Sequence, residues 1–257
     1  QLYVREARRL MGLHVFTQHD TRHAHGDARA VLHRDSIAAG DYGHSSHGTW
    51  HEGSRFGGTR HGQLSSAGIK YAPYQIPYGT IVPHDIRNLL APVPVSASHV
   101  GFCALRLEPI WTSLGQAAGH SAHLALMRIG PPDIRTVSVS ELQDRLHQDG
   151  SATIHITDVP PGDPDFTATQ WWGSAGGLHD LLPEPERLRG KTIEGQHQEA
   201  WLNHSVNLDS VLTKPLQSRW TEIALDLGLA TEQLPQANGA TTRRDWIRAA
   251  FGLRNRK

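Results

Sequence analysis

Histidine occurs 18 times in this sequence, and its side chain can bind a metal or carry a proton near neutral pH. His23-Ala-His25, His44-x-x-His47-x-x-x-His51 and His120-x-x-His123 set imidazoles close together along the chain. Imidazole is the commonest protein ligand for transition metals, and spacings of three or four share a face when the segment is helical. The first two clusters fall in Gly-rich sequence without helical period, and no His-Glu-x-x-His frame accompanies any of them. A solvated polar surface accounts for these clusters better than a metal centre does. The single cysteine, Cys103, sits in the apolar run Val100-Gly-Phe-Cys-Ala-Leu105, which suits a small buried residue rather than a nucleophile. There is no Gly-x-Ser-x-Gly elbow, no Gly-x-Gly-x-x-Gly and no Gly-x-x-x-x-Gly-Lys-Ser/Thr.

The densest constellation is Asn88 to Gly119, NLLAPVPVSASHVGFCALRLEPIWTSLGQAAG. It reads as an apolar strand over 88–95, then Ser96-Ala-Ser98-His99 with small side chains that expose backbone amides. Arg106 and Glu108 follow, and the pattern predicts a helix from Glu108 to Met127, with Pro109 suited to its first turn. Gly115, Ala118, Gly119 and Ala122 place small residues on one face of that helix. Strand, small-residue loop and helix is an arrangement that brings an anionic or electron-rich ligand to a helix N-terminus. The same small residues serve equally well to pack a helix closely on a sheet. Arg5-Glu6-Ala-Arg8-Arg9 suits an anion clamp or, slightly better, a self-neutralised ionic knot. Tyr74, Tyr78 and the pair Trp171-Trp172 are expected mainly in packing, although the Trp pair also suggests a sugar-stacking surface.

The elements that must position these residues are unevenly distributed. Thr17 to Gly68 is polar and rich in Gly and His, with a strand signal only around Asp35–Ala39. Two extended segments are expected near Gln75–Val82 and Asn88–Val95, split by a turn at Pro83–Asp85. Ser138-Val-Ser-Glu141 is a capping box that starts a helix to His147. A Trp-rich helix or turn at Phe166–Trp172 and amphipathic helices at Pro215–Leu227 and Thr241–Phe251 complete the pattern. The texture changes near 131–137, from a mixed α/β part to a mostly helical module.

Across 257 residues, 25 Lys+Arg balance 25 Asp+Glu, which excludes the positive field of a nucleic-acid-binding domain. One cysteine excludes an internal disulfide framework and every multi-cysteine zinc or iron–sulfur site. No apolar run approaches the roughly 20 residues of a membrane helix, and the charged start Gln1–Arg9 is unlike a signal peptide, so a cytoplasmic location is expected.

The ordered series Leu2-Tyr-Val-Arg-Glu-Ala-Arg-Arg9, Asp35-Ser-Ile37, Tyr42 to His47, Tyr74-Gln-Ile-Pro-Tyr78, Asn88-Leu-Leu90, Ser96-Ala-Ser-His99, Leu105-Arg-Leu-Glu-Pro109 and Gly115-Gln-Ala-Ala-Gly119 resembles the FAD-dependent oxidoreductases, in their xanthan-lyase-like bacterial branch. The resemblance covers about residues 2–125, with weaker similarity at Asp158-Val-Pro-Pro161, Asp165-Phe166 and Gln170-Trp-Trp172. It implies an α/β chain, α+β overall: an incomplete FAD-binding, glutathione-reductase-like fold with part of its substrate domain and a helical extension. Residues 1–87 would face the substrate, 88–130 would give the final strand and helix of the FAD domain, and 131–257 would be the extension. Ser96, Ser98 and the helix segment Gly115, Gln116 and Ala117 are the implied FAD contacts. Arg106 would face the flavin or an anionic substrate, and His99 and His47 are the implied general bases.

The implied reaction is hydride transfer between a small-molecule substrate and flavin. Members carry a Gly-rich βαβ unit that holds the ADP half of FAD, and this sequence has none. A missing N-terminal FAD-binding segment or subunit is therefore the expected partner, and the start at Gln1 without Met fits a C-terminal portion that is inactive alone. Two further departures are Pro92-Val-Pro94, where many members carry Gly-Arg, and Ser46 before His47, where an Asp is common. The rival readings are a non-catalytic, partner-binding module that keeps the scaffold without cofactor, and a His-dependent metalloprotein.

Overall fold

Ser36-Ile-Ala-Ala-Gly40 combines small and β-branched residues that can be covered on both faces, and it forms strand β1. The computed structural model describes residues 8–45, 49–50, 60–61, 71–181 and 204–254. In it β1 pairs antiparallel with β4 (Tyr74–Pro77), with Gly40 opposite Tyr74 and a bulge between Ser36 and Ala38. Gly40 is required there, because a Cβ would stand 2.7 Å from the Tyr74 ring. Strands β2 (Thr49–Trp50) and β3 (Arg60–His61) form a second antiparallel pair. The expected extended segment Gln75–Val82 is shorter than its pattern suggested, since a 3-10 turn takes over at Tyr78–Thr80.

The segment Asn88–Val95 does not form the expected strand. Pro92 and Pro94 offer no amide donors, so ladder pairing cannot propagate through them. The chain is held instead by scattered bonds: Ala91 N to Ile81 O, Ser96 N to Thr80 O, and Leu10 N to Pro94 O. A single parallel bridge joins Phe16 to Ala97.

Helix α1 (His99–Leu105) follows, capped by Ser98, whose Oγ accepts from Gly101 N at 3.0 Å. Gly101 lets α1 lie against the segment ending in Phe16, since a Cβ there would stand 2.2 Å from the Phe16 carbonyl. Helix α2 (Glu108–Met127) matches the sequence expectation in extent. It turns Ile110, Leu114, Ala117, Leu124 and Ala125 inward and leaves Thr112, Gln116, Gly119 and His123 exposed. Helix α3 (Val139–Gln148) starts at the predicted Ser138 cap.

Two hydrophobic cores result. The first gathers Phe16, the β1–β4 pair, α1, α2 and, through Leu142 and Leu146, α3. It therefore continues past the texture change near 131–137. The second is built on α4 (Phe166–Ser174), α5 (Lys214–Asp226) and α6 (Arg243–Arg254). Its centre is Trp172, with ring centroids 4.7 Å from Trp246 and 5.6 Å from Trp220. Trp171 and Trp172 are both buried, so packing and not sugar stacking explains the pair.

Buried Arg29 joins the two parts, donating to the carbonyls of His155 (2.6 Å), Leu178 (3.1 Å) and His204 (3.2 Å). Mixed helices with a small antiparallel sheet make this an α/β or α+β molecule. No described helix is long and apolar enough to cross a membrane.

Candidate functional site at the junction of α1 and α2

Arg106 ends α1 and stands one residue before the cap of α2. Its Nε donates to the Ser45 carbonyl and its Nη2 to the Tyr42 hydroxyl, both at 2.9 Å. The guanidinium also lies 5.3 Å from the centre of the Tyr42 ring. Tyr42 Oη and Ser45 Oγ are 2.8 Å apart, so the Tyr42–Ser45 loop is closed on itself as well as on Arg106. Below it, Tyr74 Oη donates to Ala104 O at 2.7 Å and lies 3.2 Å from Tyr42 O, which sets the loop against the end of α1.

The N-terminus of α2 has no side-chain cap. The amides of Ile110 and Trp111 both return to the Leu107 carbonyl, and Pro109 has no N–H. The amide of Glu108 is then the first-turn donor with no acceptor among the described residues. A 20-residue helix presents its positive dipole end here, beside a fixed cation.

His44 completes the cluster. It is fully buried, and its ring meets Tyr71 edge-on at 5.9 Å. Thr21 Oγ1 donates its one hydrogen to Gln18 O at 3.0 Å, so at 3.1 Å it accepts from His44 Nε2. That assigns the proton to Nε2 and leaves Nδ1, which is buried and has no partner among the described residues, as an acceptor. Burial pushes the His44 imidazole down to about 4, so it is neutral at pH 7. Burial likewise raises the Tyr71 phenol, with Asp41 and Tyr42 adding to the effect.

The residues expected at the site separate into groups. Arg106 lies at its centre. His99 is exposed in the first turn of α1, about 10 Å along the helix axis from Arg106 at 1.5 Å per residue. His47 lies outside the described residues, as do Arg5 and Glu6. Ser96 is buried, with its hydroxyl taken by Gly12 N at 2.9 Å, its amide by Thr80 O and its carbonyl by Phe16 N. Ser98 spends its acceptor on the α1 cap.

Gly115, Gln116 and Ala117 sit two turns inside α2, where the helix uses their amides; the open N-terminus is at Leu107–Glu108 instead. Gln116 faces the end of α3, accepting from Ser151 Oγ at 2.7 Å, and Ala117 is in the core. His44 stood in the sequence only as part of a histidine cluster; its burial arises from the fold around it.

An FAD isoalloxazine carries electron-rich oxygens along its pyrimidine edge, and a cation beside an uncapped helix end is a donor set of the matching sign. The residues present thus fit that part of the group. A family profile described as FAD dependent oxidoreductase matches residues 1–146. No curated protein matches the chain, and no solved structure does.

Proposed function

The chain belongs to the family of FAD-dependent oxidoreductases, which bind FAD, and from that premise we propose that it forms the flavin-ring side of an enzyme transferring hydride between a small-molecule substrate and FAD. The observation that carries this reading is Arg106, fixed by Tyr42 and Ser45 immediately before the uncapped end of α2. When bound, FAD supplies the two-electron chemistry. Arg106 and the Glu108 amide would hold its electron-rich edge. The bonds to Ser45 and Tyr42 restrict the Arg106 side chain before any ligand arrives.

His44 adds no charge to the site and offers Nδ1 as an acceptor. His99 and His47 are the proposed proton carriers, and Ser96, Ser98, Gly115, Gln116 and Ala117 act in this reading by shaping the scaffold behind the junction. The sequence contains no Gly-x-Gly-x-x-Gly unit, so the pyrophosphate and adenosine would be gripped by a further segment or subunit.

Titration of the purified full chain with FAD, followed by flavin absorbance and fluorescence, tests this directly. The expected result is a saturable spectral change, weakened at least about tenfold by Arg106→Met and less by Arg106→Lys, in line with a charged contact of roughly 1.5–3 kcal/mol. A folded chain that leaves the FAD spectrum unchanged overturns cofactor binding by this chain and favours the partner-binding module.

A further inference from the structure

Three side chains converge in the irregular segment before β1, apart from the junction just described. His14 Nε2 and His33 Nε2 each stand 3.0 Å from the same oxygen, Asp20 Oδ1. The three potential ligand atoms all lie within 4.8 Å of one another. The second carboxylate oxygen, Oδ2, accepts from Thr17 N at 2.6 Å and from Thr17 Oγ1 at 3.0 Å, which holds Oδ1 toward the imidazoles. The two rings meet edge-to-face with centroids 5.3 Å apart.

A purely ionic knot does not account for all of this. His14 makes a well-formed hydrogen bond to Oδ1. His33 Nε2 stands equally close, yet it is buried and, among the described residues, makes no hydrogen bond of good geometry. A nitrogen aimed at a carboxylate without bonding to it is placed as a ligand would be. Adjacent ligands at about 2.1 Å from an ion lie about 3 Å apart in an octahedral shell and about 3.4 Å apart in a tetrahedral one.

We propose that His14 Nε2, Asp20 Oδ1 and His33 Nε2 bind a divalent first-row transition-metal ion of the zinc class, with water completing its shell. Two imidazoles and a monodentate carboxylate are a donor set suited to such ions, and Thr17 is the outer contact that orients the carboxylate. Access is present at the rim, where the His14 side chain is 32 % exposed and that of Asp20 only 9 %. The ion would also act as a staple. The His14 amide donates to Gly79 O and the His33 amide to Gln75 Oε1, so both imidazole ligands are tied to the β4 region of the first core.

The full chain, stripped with chelator and dialysed against zinc chloride at pH 7.5, provides the test by metal analysis and thermal melting. One equivalent of zinc and a raised Tm are expected in the wild type. Asp20→Asn and His33→Gln should each loosen zinc at least about a hundredfold, since changes to mere outer contacts already cost 10–100-fold. A paired His120→Ala/His123→Ala change should leave the equivalent in place. Sub-stoichiometric zinc, zinc retained in both triad variants, or zinc lost with His120 and His123 instead overturns the proposal. Should the triad variants misfold, X-ray absorption on the cobalt-loaded wild type decides: two imidazole nitrogens and one carboxylate oxygen, with water oxygens in the remaining positions, support the site, and a shell without two imidazoles refutes it.

Discussion

His147 donates to or accepts from Thr153 Oγ1 at 2.8 Å inside the protein, and it is nearly inaccessible to solvent. Burial, reinforced by the Arg254 cation, pushes its imidazole down to about 3, while His44 sits at about 4. Both folded values lie below the ordinary value of 6.5. The unfolded chain therefore binds more protons as pH falls, and the stability held above about pH 6.5 is lost progressively on acidification. Between pH 7 and pH 5 each residue should remove about 2 kcal/mol. Urea unfolding at the two pH values checks this, and His147→Gln should reduce the fall by about 2 kcal/mol, leaving the share of His44 and of His155 and His179, which burial also lowers. A midpoint that does not move with pH would show that neither imidazole is held neutral by the fold. Nothing in the sequence distinguishes His44 and His147 from the exposed His99, because burial is a property of what packs over a residue.

Helices carry their evidence in adjacent residues, and this is why so much of the helical part was legible. Ser138 three residues before Glu141 marked α3, and Pro109 marked the start of α2. Helix α1 gave less warning, since its seven residues form an apolar run with no amphipathic period. The strand expected at Asn88–Val95 failed on Pro92 and Pro94, whose missing amides outweigh the apolar pattern. At the candidate site Arg106 was legible, whereas its clamp by Tyr42 and Ser45 spans more than sixty residues and could not be read locally.

Two glycines separate these levels by experiment. Gly101→Ala drives a methyl into the Phe16 carbonyl and should lower stability by about 1–3 kcal/mol. Gly115→Ala meets nothing within 4 Å and should raise it by about 0.5–1 kcal/mol through helix propensity. Chemical denaturation of the pair gives opposite signs if the packing of α1 and the open face of α2 are as described.

At the scale of the whole molecule, Arg29 couples the two cores. Burial lowers its guanidinium to about 10, still charged at neutral pH, with Asp27 and Asp158 opposing the shift. Arg29→Met would strand three buried carbonyls and should cost about 3–5 kcal/mol. Tryptophan fluorescence, dominated by the second core through Trp171, Trp172, Trp220 and Trp246, should follow far-UV circular dichroism during wild-type unfolding. In Arg29→Met the two transitions should part; coincident transitions in the variant would show that other contacts carry the coupling.

The same side chain sets an order of events during synthesis. Its acceptors lie 126, 149 and 175 residues downstream. At roughly 5–20 residues per second, His204 is made about 10–35 s after Arg29. Throughout that interval the nascent N-terminal part holds a cation whose final partners do not yet exist. The half of the protein that is translated first is therefore the half that finishes folding only when its successor arrives.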